Sequence, residues 1–168
     1  PAEFVPLAES MGLGRTLARQ VATRALAEAG ALLQGDSRLY LSLNVDPADV
    51  VNPGYRSLLS TLLRQFDIAP ARIALEVTEG NTADDEAVAR QLRALKVQGF
   101  RIFIDDFGTG HSNLNYLADL QPDVIKLDKR FTQGARTDPV SALIVGHVVE
   151  IVRTLDIAMV AEGIETEE

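Results

Sequence analysis

Residues 72–77 read RIALEV, residues 84–98 carry apolar residues at Val88, Leu92 and Leu95, and residues 100–105 read FRIFID. The first and last runs have the β-rich, apolar character of buried strands, and the middle one has helical spacing closed by Gly99. Strand, helix and strand therefore follow one another with little between them.

The same alternation extends outward in both directions. Upstream lie LYLSLNV at 39–45 and a helix over 55–66 through Leu58, Leu59, Leu62, Leu63 and Phe66. Before these, Leu17, Val21, Ala25, Leu26, Leu32 and Leu33 space like one helix face, punctuated by Gly35-Asp36. Downstream, a short helix is predicted over 112–117, a strand over 124–127 (VIKL) and a last strand over 157–161 (IAMVA). Asp138-Pro139 reads as an N-cap and N1 proline, opening a helix along Val140, Leu143, Ile144, Val148 and Ile151. His147 reads as a packed residue of that helix. Five strand–helix alternations with short connections predict βα units around a parallel sheet. A doubly wound sheet and a (β/α)8 barrel both fit. Five units fall short of the eight in a barrel, which usually takes about 250 residues. Periodicity alone does not choose.

Composition narrows the chemistry. The chain has 168 residues, 46% of them hydrophobic, and no Cys, which excludes a disulfide scaffold, a thiolate zinc site and a cysteine nucleophile. Lys and Arg number 16 against 24 Asp and Glu, a net charge of −8, which argues against duplex nucleic acid as a partner. No apolar run approaches the roughly 20 residues of a membrane span, so this segment is expected to make no membrane contact. No signal peptide is visible, and the expected location is the cytoplasm, with any membrane anchor lying elsewhere in the parent protein. The chain begins at Pro1 rather than Met, as a piece of a longer protein would.

The strand ends carry the functional signal. In order, the apolar runs end in or beside Asn44, Glu76, the pair Asp105-Asp106, Lys126 and Glu162. A charge in such a place is costly without partners. In a barrel, the C-terminal ends of several strands converge on one face and supply catalytic groups. Hard oxygen donors plus one Lys, without His or Cys, suit Mg²⁺ or Mn²⁺ rather than Zn²⁺ or Cu²⁺. Adjacent carboxylates at 105 and 106 repel one another unless a cation or proton intervenes. At a fraying strand end both can turn toward the site, one of them bridging two metals. That is equipment for phosphodiester hydrolysis. Lys126 can orient the attacking water or neutralise a phosphoryl oxygen, and Glu162 can complete a metal shell or accept a proton. Asp106-Phe107-Gly108 spells a kinase triplet, but no other kinase motif accompanies it. Gly12-x-Gly14 reads as a turn, and Gly108-Thr109-Gly110 as a flexible loop suited to moving over a ligand.

These stretches together resemble the EAL-domain family of cyclic di-GMP phosphodiesterases. The resemblance is carried by PAEFVPLAE, LSLNV, LEVTE, IDDFGTGHSNLNYL, VIKLDKRF and VAEGIETEE, in family order over the whole chain. It implies a TIM-type (β/α)8 barrel, present here as an incomplete barrel of about five parallel βα units. It also implies that Asn44, Glu76, Asp105 and Asp106 are metal ligands, that Lys126 contacts the catalytic water, and that Glu162 is a metal ligand or base. Glu79 is similar to the glutamate that anchors the loop after the paired aspartates. The implied reaction is opening of cyclic di-GMP to linear pGpG at a two-metal Mg²⁺ or Mn²⁺ site.

Two departures from the family pattern shape the remaining expectations. The name-giving Glu-Ala-Leu of the first strand does not occur, and the final strands with their glutamine motif are not seen. Residues 1–168 therefore read as a single EAL-type barrel domain truncated at both ends, expected to be inactive alone. With open sheet edges it is expected to pair with a second copy as a homodimer, swap elements or be marginally stable. A degenerate EAL module that binds cyclic di-GMP as a receptor without cleaving it is the alternative. Enolase-like proton abstraction is a further one, disfavoured by the vicinal Asp pair and the GTG loop.

Overall fold

The computed structural model describes residues 3–78, 85–109, 117 and 120–165. Five strands form one sheet: β1 (Leu41–Asn44), β2 (Ile73–Thr78), β3 (Arg101–Phe107), β4 (Val124–Leu127) and β5 (Ala158–Ala161). They lie side by side in chain order, and every neighbouring pair is parallel. Between them run α1 (Phe4–Ser10), α2 (Gly14–Gly35), α3 (Pro47–Val50), α4 (Pro53–Gln65), α5 (Asp85–Val97), α6 (Lys129–Gly134) and α7 (Pro139–Leu155). Sequential strand order with helical crossovers is the arrangement of a (β/α) barrel, here five strands of one, and not of a doubly wound sheet, whose strand order reverses.

Strand parity then separates two faces. In register, Leu43 pairs with Leu75, Leu75 with Ile102, and Ile104 with Ile125. These residues, with Ile73, Val77 and Leu127, point to the helix side and are buried there. Leu59, Leu62 and Leu63 of α4 and Val88, Leu92 and Leu95 of α5 meet them in one core. Leu75 and Leu92 are fully buried, and truncating either to Ala costs roughly 2–5 kcal/mol. The opposite parity places Asn44, Glu76, Phe103, Asp105 and Lys126 on the other face. Further down that face Tyr40 meets Phe103 edge-on at 5.5 Å, with Arg101 4.8 Å over the Tyr40 ring.

Helix ends follow their capping residues. Asp46, Asn52 and Asp138 accept from the amides of Ala48, Gly54 and Val140, each directly before a proline at the first helical position. The C-terminus of α2 is closed differently. The Arg72 guanidinium donates to the carbonyls of Leu33 (2.5 Å), Asp36 and Ser37, placing a cation on the negative end of the longest helix. Arg72 sits in a 3₁₀ turn (Pro70–Arg72), so it ties α2 to the start of β2.

Several sequence expectations change here. Of the α2 face, Leu26 and Leu33 are buried, but Val21 and Leu32 are 54% and 65% exposed. In α7, Val148 and Val152 face the core, while Val140 and Leu143 look outward. Both helices touch the sheet along a narrower stripe than their apolar spacing suggests. His147 is exposed rather than packed. Gly12 does form a turn, with φ +70°. Of the helix expected over 112–117, residues 112–116 lie outside the described residues, and Leu117 is buried in the core. No helix among the described residues is long and apolar enough to cross a membrane.

A candidate metal centre at the strand ends

β3 is irregular where its chemistry sits. Ile104 pairs with Ile125 and Phe107 with Leu127, so β3 advances three residues while β4 advances two. Asp105 and Asp106 together stand opposite the single residue Lys126, which is a β-bulge. Ile104 and Phe107 both remain buried on the helix side, so the two aspartates between them share the other face. Asp106 makes the bulge with a left-handed backbone, φ +52°, a conformation that Asp tolerates better than most residues. The strand does not fray at Asp105, as the sequence suggested. It runs on to Phe107, and the inserted residue turns the second carboxylate toward the first.

Lys126 stands at the centre of the acids. Its ammonium lies 2.8 Å from Asp105 Oδ1, 2.8 Å from Glu162 Oε1 and 3.3 Å from Glu76 Oε2. Burial alone would lower its pKa, but hydrogen bonds to Asp105 and Glu162, with the charges of Asp105 and Glu76, hold it well above the ordinary lysine value. Carboxylate oxygens of Asp105, Asp106 and Glu162 all lie within 4.8 Å of one another. Asn44 ends β1 in register with Glu76, at the same level of the same face. Glu79 lies outside the described residues.

A further acid, not among those expected from the sequence, belongs to this cluster. Asp128 follows β4 directly, two residues beyond Lys126, and is only 8% exposed. It caps α6 by accepting from Arg130 N (2.8 Å) and Arg130 Nε (3.0 Å). Burial would raise its pKa; the Arg130 hydrogen bonds and charge prevail and hold it below the usual value. Asp106 moves the other way. Burial, then the charges of Asp105, Asp128 and Glu162, and a hydrogen bond shared with Asp128 raise it. The sequence does carry a signal for it, since Asp128 directly follows the apolar run VIKL that also holds Lys126.

With all groups ionised, Glu76, Asp105, Asp106, Asp128 and Glu162 give −5 against +2 from Lys126 and Arg130, leaving −3. Such an excess in a partly buried site is relieved by a proton, which the raised Asp106 can take, or by a bound cation. The donors are all hard oxygens, which fits Mg²⁺ or Mn²⁺. The site thus combines an acid cluster with the donors to hold a cation and one fixed ammonium, a pairing suited to an anionic ligand.

Comparison with known proteins agrees with this reading. The EAL domain family model matches residues 1–168. The probable cyclic di-GMP phosphodiesterase PdeB of Escherichia coli is 34% identical over 99% of this chain, which covers 31% of the relative. The cyclic di-GMP phosphodiesterase PA2567 of Pseudomonas aeruginosa is 36% identical, with 28% of its length covered. The chain therefore spans about a third of these curated relatives. Among solved structures, the PaMucR phosphodiesterase in complex with c-di-GMP superposes with a TM-score of 0.92 at 34% identity, over 99% of this chain and 68% of that one. BlrP1 of Klebsiella pneumoniae, solved with manganese and cy-diGMP, gives 0.79 at 32% identity, over 90% and 38%.

Proposed function

Because this chain belongs to the EAL domain family, we propose that its strand-end cluster serves a metal-dependent phosphodiesterase that opens cyclic di-GMP to linear pGpG. The observation that carries the proposal is the bulge that sets Asp105 and Asp106 side by side opposite Lys126. Asn44, Glu76, Asp105 and Asp106 would hold Mg²⁺ or Mn²⁺ in a two-ion site. When bound, such ions acidify water and draw charge from the phosphodiester.

The remaining work falls to the chain's own groups. Lys126, pinned between Asp105 and Glu162, directs its ammonium at the place where negative charge gathers on the phosphoryl oxygens. It also orients the attacking water. Glu162 is the most exposed of the three carboxylates around Lys126, with 30% of its side chain accessible, and is the group placed to accept that water's proton. Water oxygen bonds to phosphorus, the bond from phosphorus to the ribose 3′ oxygen breaks, and that oxygen leaves with a proton taken from solvent. Asp128 acts through Asp106, holding its carboxylate in the bulge. Glu79 keeps its loop-anchoring role from the family resemblance.

The test is to incubate cyclic di-GMP with a polypeptide containing residues 1–168, with Mn²⁺ and with chelator, and separate the products. Appearance of pGpG that chelator stops is the expected result. Tight binding without turnover identifies a receptor instead, and neither binding nor turnover overturns the reading.

A further inference from the structure

The proposed role of Glu162 depends on where its segment is held, and β5 ends one residue before it. Glu162 N still donates to Leu127 O at 3.1 Å, continuing the β4–β5 ladder. Beyond that amide, the contacts come from the short helix α6. The Thr132 hydroxyl donates to the carbonyl of Glu162, 30 residues further along the chain. The hydroxyl has a second acceptor within its own helix, Lys129 O at 3.0 Å. Next to Glu162, Gly163 takes φ +71°, and a Cβ there would stand 2.6 Å from Lys129 Cβ. The same helix braces the other acid segment. Gly108, two residues after Asp106, has φ +95°, and a Cβ on it would meet the Phe131 ring at 2.7 Å. Contacts from Lys129, Phe131 and Thr132, all within the first turn of α6, thus fix the spacing between the segment carrying Asp105-Asp106 and the segment carrying Glu162.

Shape alone accounts for the two glycine contacts, because backbone lies against a side chain with no room between. Thr132 differs. A side-chain hydroxyl spent on a distant main-chain carbonyl fixes that peptide's orientation, and with it the direction in which the Glu162 side chain leaves the backbone. A valine of the same shape fills the space without doing so.

We propose that Thr132 is a positioning residue, whose hydroxyl sets the Glu162 peptide so that its carboxylate meets Lys126 and the paired aspartates. Its consequence for metal binding rests on the reading of the cluster as a metal centre. Two measurements on the 168-residue chain keep the two ideas apart, each made on wild type, Thr132→Val and Thr132→Ser. Amide hydrogen exchange at Glu162, without metal, should quicken about tenfold in Thr132→Val and return toward wild type in Thr132→Ser, while Ile125 and Leu127 stay unchanged. Mn²⁺ titration should show about tenfold weaker binding in Thr132→Val, again restored by Ser. Unchanged exchange at Glu162 in Thr132→Val overturns the proposal. So does equal loss in the Val and Ser variants, which would mark Thr132 as a packing residue. Quickened exchange in Thr132→Val, together with a wild-type chain that takes up no Mn²⁺, supports the positioning role and removes the metal reading instead.

Discussion

Asp105 and Asp106, neighbours in the chain, present their carboxylates on the same face of a strand. Alternation would send one of them into the helix layer, and the bulge opposite Lys126, made by a left-handed Asp106, prevents it. The concentrated charge that results is the source of the properties expected below.

Asp106→Asn should stabilise the metal-free protein. Asn accepts the φ of +52° and can donate to Asp128 without carrying charge. The sign follows from linkage. A carboxyl raised on folding binds its proton more tightly in the folded state, so stability falls as pH climbs from the unfolded pKa through the folded one. At neutral pH Asp106 is therefore a liability until a cation arrives. The gain should stay under about 1 kcal/mol because solvent screens the group, roughly 2–4 °C at the midpoint. Thermal melts with and without Mn²⁺ test this: the variant should melt higher without metal and gain less from it. A lower metal-free midpoint would contradict the account.

Lys126→Met should do the reverse. It leaves Glu76, Asp105 and Glu162 facing one another without their shared cation, at a cost of about 2–4 kcal/mol for a mostly buried cluster. Divalent ions should restore more stability to the variant than they add to wild type. Urea unfolding with and without Mg²⁺ measures both. Turnover in a polypeptide containing residues 1–168 should fall by about 10²–10⁴ even where metal is retained.

Arg72→Leu should destabilise the fold without touching the site. It strips three carbonyls at the end of α2 of their charged donor, and roughly 2–3 kcal/mol should be lost. Mn²⁺ affinity measured below the unfolding transition should stay within twofold of wild type. A large loss of affinity would mean that α2 shapes the metal centre.

Most of the fold was legible because its signals are local. VIKL at 124–127 and the helix opened by Asp138-Pro139 appear where apolar runs and caps placed them. The site was legible as a set of strand-end polar residues, since charge beside a buried run calls for an explanation. What the sequence hid depends on register between strands. Nothing local to Asp105-Asp106 announces that β4 will oppose the pair with one residue, or that β3 will continue to Phe107. Thr132 was hidden for a related reason, as its partner Glu162 lies across the sheet end. Val140 and Leu143 are exposed against expectation because helical spacing reports which residues share a face, not whether anything covers it.

The open edges of the sheet carry their own expectation. Among the described residues, β1 and β5 each pair on one side only, and Val160 is 45% exposed on β5. Unpaired parallel edges favour self-association. Sedimentation of the 168-residue chain should show dimers or larger species. A stable, dilute monomer of the short chain would count against this.

The central claim is that the bulged pair of aspartates holds the metal on which hydrolysis depends, and Asp105→Asn addresses it most directly. The measurement is the rate of pGpG formation from cyclic di-GMP, with saturating Mn²⁺, in a polypeptide containing residues 1–168 and in its Asp105→Asn variant. The account predicts a loss of about 10³-fold or more, with the melting midpoint held within a few degrees. Undiminished turnover would contradict it and leave Asp105 as no more than an ion-pair partner of Lys126.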